Sequence, residues 1–134
     1  MLRTQTSLTG EYTYVSRYDD ALDSDAPDFE LRWQQYLDGT AEAPIKAGAS
    51  PTVFHLRHLK AGEFNALLRS DANGFDLARA ALIGVSGAPI PGWKFAMTGR
   101  DRKTPNIDDA PTSLYAVFME LGSRVIARMT PPGK

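Results

Sequence analysis

Between Pro111 and Pro131 the apolar side chains fall at Leu114, Phe118, Leu121, Val125 and Met129. That rhythm matches the 3.6-residue period and draws one apolar stripe along a helix near 112–129. Asp108, Asp109 and Pro111 stand at its start, Arg124 and Arg128 suit the negative end of the helix dipole, and Pro131 and Pro132 stop it. A stripe of this length must be buried against another layer, so the remaining chain has to supply one.

Two runs are written in a different period. In "EYTYVSRY", Tyr12, Tyr14, Ser16 and Tyr18 fall on one side and Thr13, Val15 and Arg17 on the other. In "PTVFHLRHL", Phe54, Leu56 and His58 alternate with Val53, His55 and Arg57. Tyrosine and β-branched residues at period two predict strands near 11–18 and 51–59. "APDFELRWQQYLDG" fits a helix near 27–37, with Phe29, Trp33, Tyr36 and Leu37 on one side and Gly39 beyond its end. "KAGEFNALLRSDANG" predicts a helix near 61–70 stopped by Asn73-Gly74. "GFDLARAALIGVSGA" predicts another near 75–85, with Phe75, Ala78, Leu82 and Val85 as its buried stripe.

The expected fold is α+β: a small antiparallel sheet packed by about four helices. Residues 1–18 read as an extended N-terminal arm or strand, and residues 19–134 as a single α+β domain. A long loop over 86–111, rich in glycine and proline, is the kind of irregular stretch that tends to carry function or motion.

The chain has 134 residues, 43% hydrophobic and 23% charged, which suits one globular domain. A net charge of −1 creates no field that gathers nucleic acid or anionic lipid, so sequence-specific nucleic-acid binding and membrane binding are not expected. There is no cysteine, which removes disulfides, zinc–thiolate sites and thiol nucleophiles together. "MLRTQTSLTGEYTY" lacks the apolar run of a secretion signal, so synthesis in a bacterial or host cytoplasm is the expectation.

Chemistry-bearing patterns are sparse. His55 and His58 lie three apart, and on a strand they point to opposite sides, so they cannot share a metal; two structural histidines, one buried and one exposed, are expected. Acids at 19, 20, 23, 25 and 28 lack the glycine and glutamate register of a calcium loop. Gly84-Val85-Ser86-Gly87 falls one residue short of a nucleophile elbow, with both histidines upstream, and "GVSGAPIPG" has no phosphate-loop lysine. No catalytic residue, metal ligand or cofactor is expected, and the chain reads as a non-enzyme.

Protein contact is the better supported role. Tyr12, Tyr14 and Tyr18 form an amphipathic tyrosine face, and Trp93 and Phe95 stand beside the basic "GRDRK" with Arg100 and Arg102. Aromatic and arginine side chains dominate contact hot spots, so these seven are the candidate partner-contact residues, with packing into the core the other reading of the tyrosines and of Trp93.

"PTVFHLRHLKAGEF" adds a resemblance. With Pro51, Thr52, Phe54, Leu56, Arg57, Leu59 and the helix-opening Glu63, followed by "GVSG" and "ELGSRV", the chain resembles small virion-structure proteins of tailed bacteriophages. The likeness covers about the last two-thirds of the chain, rests on structural patterns and transfers no active site. It implies a virion structural or accessory component acting in head or tail assembly, whose partners are other phage structural proteins, including copies of itself. Two other readings stand beside it: a tail-assembly chaperone absent from the mature particle, and a small ligand-binding or hydrolytic domain.

Overall fold

The structure, a computed structural model, describes residues 10–129. Three strands make an antiparallel sheet in the order β1 (Glu11–Tyr14), β2 (Thr52–Arg57), β3 (Leu82–Gly87). Four helices accompany it: α1 (Phe29–Leu37), α2 (Ala61–Arg69), α3 (Gly74–Ala81) and α4 (Tyr115–Met129). A two-stranded hairpin, β4 (Met97–Thr98) with β5 (Thr104–Pro105), forms a second small sheet. The α+β class read from the sequence is the class found.

Register places the inward face. Tyr12 stands opposite Leu56, Tyr14 opposite Phe54, and Phe54 opposite Val85. Because side chains alternate across a strand, this face turns Tyr14, Phe54, Leu56 and Leu82 into the core. The other face carries Thr13, Val53, His55, Gly84 and Ser86, paired as Thr13 with His55, His55 with Gly84 and Val53 with Ser86. The core closes over the inward face with Phe118, Leu121 and Val125 of α4, as the terminal stripe required. Leu114 and Met129, the ends of that stripe, are half-buried.

Several boundaries differ from the sequence reading: the strand expected over 51–59 is Thr52–Arg57, with His58 and Leu59 beyond its end, and the helix expected over 27–37 starts at Phe29. The run expected as a helix over 75–85 breaks at Ala81: α3 ends there and Leu82–Gly87 extends as β3. Asn73 and Asp76 cap α3 reciprocally, each side chain bonded to the other's backbone N–H at 3.0 Å. Beyond Ala81, Ile83 and Val85 are β-branched and Gly84 and Gly87 are poor helix formers, while β2 offers an unpaired edge. Leu82 suited both periods, because it is inward on either element. The strand expected over 11–18 ends at Tyr14, where turns at Ser16–Asp19 and Asp19–Leu22 take over. The helix expected over 112–129 begins with a 3-10 turn, Thr112–Leu114, before α4 proper.

The arm expected over residues 1–18 divides. Residues 1–9 lie outside the described residues, and 10–18 are bound to the body of the domain through β1 and the turns that follow it. The long loop over 86–111 is also less irregular than expected. It holds the β4–β5 hairpin and a 3-10 turn at Asn106–Asp109. Asn106 ties the segment together: its side chain accepts from Ala96 N–H at 2.8 Å and donates to the Lys94 carbonyl at 2.9 Å.

The tightest junction is between α3 and α4. A Cβ on Gly122 would lie 2.1 Å from the Gly74 carbonyl oxygen, and one on Gly74 would lie 2.7 Å from the Met119 carbonyl oxygen. Both obstructions are backbone, so nothing can swing aside. Replacing Gly122 by alanine is expected to destabilise the fold by about 1–3 kcal/mol, as overpacking does. Gly62→Ala, where the added methyl meets open space, should gain up to about 1 kcal/mol from helix propensity. Urea midpoints of the two variants check both signs.

Candidate contact surface

The turn that follows β1 is held by one carboxylate. Glu120 of α4 accepts from the Tyr14 hydroxyl at 2.6 Å, the Ser16 hydroxyl at 2.5 Å and the Arg17 backbone N–H at 2.8 Å. Hydrogen bonds to an ionised acceptor are the stronger kind. Ser16 also accepts from Tyr18 N–H at 3.0 Å, and Asp19 accepts from Ala21 N–H and Thr52 N–H, each at 2.8 Å. Arg17 pairs with Glu30 and lies over the rings of Phe29 and Trp33. The backbone on either side of Tyr18 is therefore fixed, yet the Tyr18 side chain is 65% exposed.

Tyr18 stands as a crest between two open grooves. One, of about 480 Å³, runs past Asp19, Ser50, Ala88, Pro89 and Ile90. The other, of about 590 Å³, lies on α4 and is walled by Arg17, Ala116, Met119, Glu120 and Ser123. A large amphipathic ring on a rigid backbone, with concave surface on both sides, has the makings of a contact anchor: little ordering entropy is lost on binding.

The other candidates disperse. Tyr14 is buried, and burial followed by the bond to Glu120 pushes its hydroxyl pKa upward. It is core, unavailable to a partner. Tyr12 is half-buried beneath the Arg128 guanidinium, 4.6 Å from its ring centroid, and burial raises its pKa to about 12. Trp93 packs edge-on against Phe118 at 5.5 Å, donates its indole N–H to the Asn106 carbonyl at 3.3 Å and meets Phe95 at 6.2 Å. These two rings seal the hairpin onto the core. Arg100 and Arg102 are exposed in the turn between β4 and β5, Arg102 with a φ of 54°. Of the seven expected contact residues, Tyr18, Arg100 and Arg102 are exposed, and the tyrosine is remote in sequence from the two arginines.

His55, on β2, and His58, one residue beyond the end of β2, meet different surroundings, and each is half-buried, where one buried and one exposed histidine was expected. His55, on the outer face, shares a 2.7 Å hydrogen bond between its Nε2 and the Ser86 hydroxyl. No carboxylate joins this pair among the described residues. The ring nitrogens of His58 are shielded from solvent and have no hydrogen-bond partner among the described residues, and its ring lies 4.7 Å from that of Tyr12. Burial, then the nearby Arg128 charge, lowers its pKa. Among the described residues no three His, Asp or Glu side chains are grouped to hold a metal ion, and no helix is long and apolar enough to cross a membrane.

No family model, curated protein or solved structure matches the chain.

Sequence reasoning missed Glu120, the residue that holds the surface together. It lies next to the buried stripe of α4 and is more than a hundred positions from its partners, so no local pattern reveals the bond. Ser86 falls short of an elbow nucleophile in the sequence, and its pairing with His55 depends on β3 lying beside β2.

Glu120→Ala should leave three donors without their acceptor and cost about 3 kcal/mol, whereas Tyr14→Phe, which removes one donor, should cost about 1 kcal/mol. Chemical denaturation of both variants tests the ranking. For His58 the sign follows from a folded pKa below the unfolded value of 6.5. The unfolded chain binds the proton more readily, so the residue's contribution is intact above pH 6.5 and is lost as pH falls below it. His58→Phe should flatten that part of the stability profile between pH 8 and pH 5, read from urea midpoints at each pH.

Proposed function

We propose that the chain is a non-enzymatic contact module of a tailed-phage particle, a structural or accessory protein that joins subunits in head or tail. Two supports carry the reading. The resemblance around Pro51–Glu63 supplies the setting, and the pinned, exposed Tyr18 between two grooves supplies the means. In this reading Tyr18 enters a pocket on a neighbouring structural protein, while the grooves receive side chains from that neighbour. Arg100 and Arg102 add charge at a separate rim. The protein is made in the bacterial host cytoplasm and retained in the virion, where its neighbours include other copies of itself. A chaperone of tail assembly would use the same surface but leave before maturation.

The His55–Ser86 hydrogen bond favours a second reading, a small hydrolytic domain, because it pairs a nucleophile with a base at catalytic distance. It lies on the outer sheet face, and among the described residues no third member orients the imidazole, which sets this reading second.

Mass spectrometry of purified particles separates the three. A virion component appears in fixed copy number, and Tyr18→Ala lowers that number at least tenfold while leaving the circular dichroism of the isolated protein unchanged. A chaperone is present in infected cells and absent from particles. A hydrolase loses function with Ser86→Ala or His55→Ala and is indifferent to Tyr18→Ala.

A further inference from the structure

Strand β1 is held at its two ends by different chemistry. Its Tyr14 end is pinned by the Glu120 carboxylate, which serves three donors there. At its Tyr12 end no side-chain hydrogen bond is made among the described residues. Instead the Tyr12 ring meets the His58 ring at 4.7 Å and the Arg128 guanidinium at 4.6 Å. This corner joins three pieces of chain: the start of β1, the residue just past β2, and the last turn of α4.

His58 is the ill-matched member. Both of its ring nitrogens are closed to solvent, and neither has a hydrogen-bond partner among the described residues. A neutral imidazole leaves one N–H and one lone pair unmet there, whereas an imidazolium would leave two N–H groups and a full charge unmet. The surrounding groups offer no free counter-ion. From α4 come the cations Arg128 and Arg124, and from β1 comes Tyr12, a phenol that burial keeps protonated. On the segment of His58 itself, Lys60 is exposed and Arg57 is turned to Glu63 and the Ala80 carbonyl. Glu63 is taken up by that guanidinium and by the Lys60 N–H, and Glu120 by its three donors. The closed corner therefore suits the neutral ring and rejects the charged one; burial, then the Arg128 charge, lowers the His58 pKa.

We propose that His58 is an acid-sensitive latch: unprotonated, it lets the start of β1 and the last turn of α4 close over it, and protonated, it opens that corner while the rest of the domain stays folded. The geometry favours a local opening. β1 is an edge strand of four residues, and Arg128 lies one residue from the end of α4. Short edges and helix ends are the parts of a fold that open first. Beyond the corner, Glu120 pins the Tyr14 end of β1, and Phe118, Leu121 and Val125 keep α4 on the core, so the opening has a hinge on both sides. What it releases is Tyr12, the aromatic that the closed corner keeps half-buried. The sign follows from proton affinity: an imidazole returned to water binds the proton more readily than one closed in beside Arg128. The open fraction therefore rises as pH falls below the unperturbed value of 6.5. It rises by up to about tenfold per pH unit, until the closed form is itself protonated. This goes beyond the pH dependence of whole-chain stability and is independent of the phage reading and of Tyr18.

The test is amide hydrogen exchange of the full chain by NMR at about pH 7.5 and about pH 5, with and without low urea, beside a titration of the imidazole signals. Protection factors are corrected for the intrinsic pH dependence of exchange. Amides of Glu11–Thr13 and Ala127–Met129 should open with little urea dependence, the mark of a local event, while those of Leu121 and Val125 open only with the strong urea dependence of unfolding. On acidification the corner amides should lose protection at least threefold in the wild type and stay level in His58→Phe, which has no proton to bind. Arg128→Met should shrink the loss and move the His58 titration up toward 6.5. These last two readouts decide the matter should the phenylalanine variant fail to fold. An imidazole that titrates at or above 6.5 in the folded wild type overturns the proposal. So does an equal loss of protection in His58→Phe, a titration that Arg128→Met leaves in place, or a corner whose urea dependence equals that of Leu121.

Discussion

The molecule depends on the contact between Gly74, at the first turn of α3, and Gly122, in the middle of α4. Any side chain at either position would overlap backbone on the opposing helix. That close approach lets Ala78 and Ala81 of α3 sit fully buried and brings Phe118, Leu121 and Val125 down onto the sheet. Because α3 runs straight into β3, the same contact sets where the third strand begins. Glycine at both positions is thus a requirement of packing distance, not of backbone dihedral: neither residue has a positive φ.

From that junction, α4 reaches across to the turn after β1. Glu120 is one position before the buried Leu121 and two before Gly122, so the placement of the helix determines where its carboxylate lands. It lands beneath the Tyr14 and Ser16 hydroxyls and fixes the strand exit that displays Tyr18. Packing in the core and presentation at the surface are in this way one mechanical path. Arg124, on the same helix, extends it by donating to the Leu37 carbonyl at 3.0 Å, at the last residue of α1.

The sheet separates two kinds of polar side chain. On the inward side, Tyr12 and His58 lie against each other, with Arg128 over the tyrosine ring and the imidazole nitrogens unpaired among the described residues. On the outward side, His55 and Ser86 satisfy each other across two strands. His55 is held in its surroundings by its place on β2, and His58, just past the strand's end, in its own by its ring contact with Tyr12. Arg57 ties elements together directly: its guanidinium grips Glu63 through two bonds of 2.9 and 2.8 Å and reaches the Ala80 carbonyl, joining β2 to both α2 and α3. Glu63 is held well below the ordinary carboxylate range, at about 2, chiefly by that arginine.

Periodicity alone determined the α+β class, the long terminal helix with Phe118, Leu121 and Val125 inside, and the two tyrosine- and histidine-bearing strands. These are short-range properties, written in spacings of two or of three and four. Tertiary structure decided what those spacings leave open. Leu82 to Gly87 became a strand because β2 presented an edge to pair with, although Leu82 and Val85 also fit the helical stripe of α3. Tyr14 went inside and Tyr18 outside, although both belong to one alternating face, because the strand ended at Tyr14 and Glu120 redirected the chain. The physical reason is range: a helix stripe or strand alternation is settled by neighbours a few residues away, whereas an edge to pair with or a carboxylate to bind arrives from residues 30 or 100 positions distant, and only the folded chain brings them together.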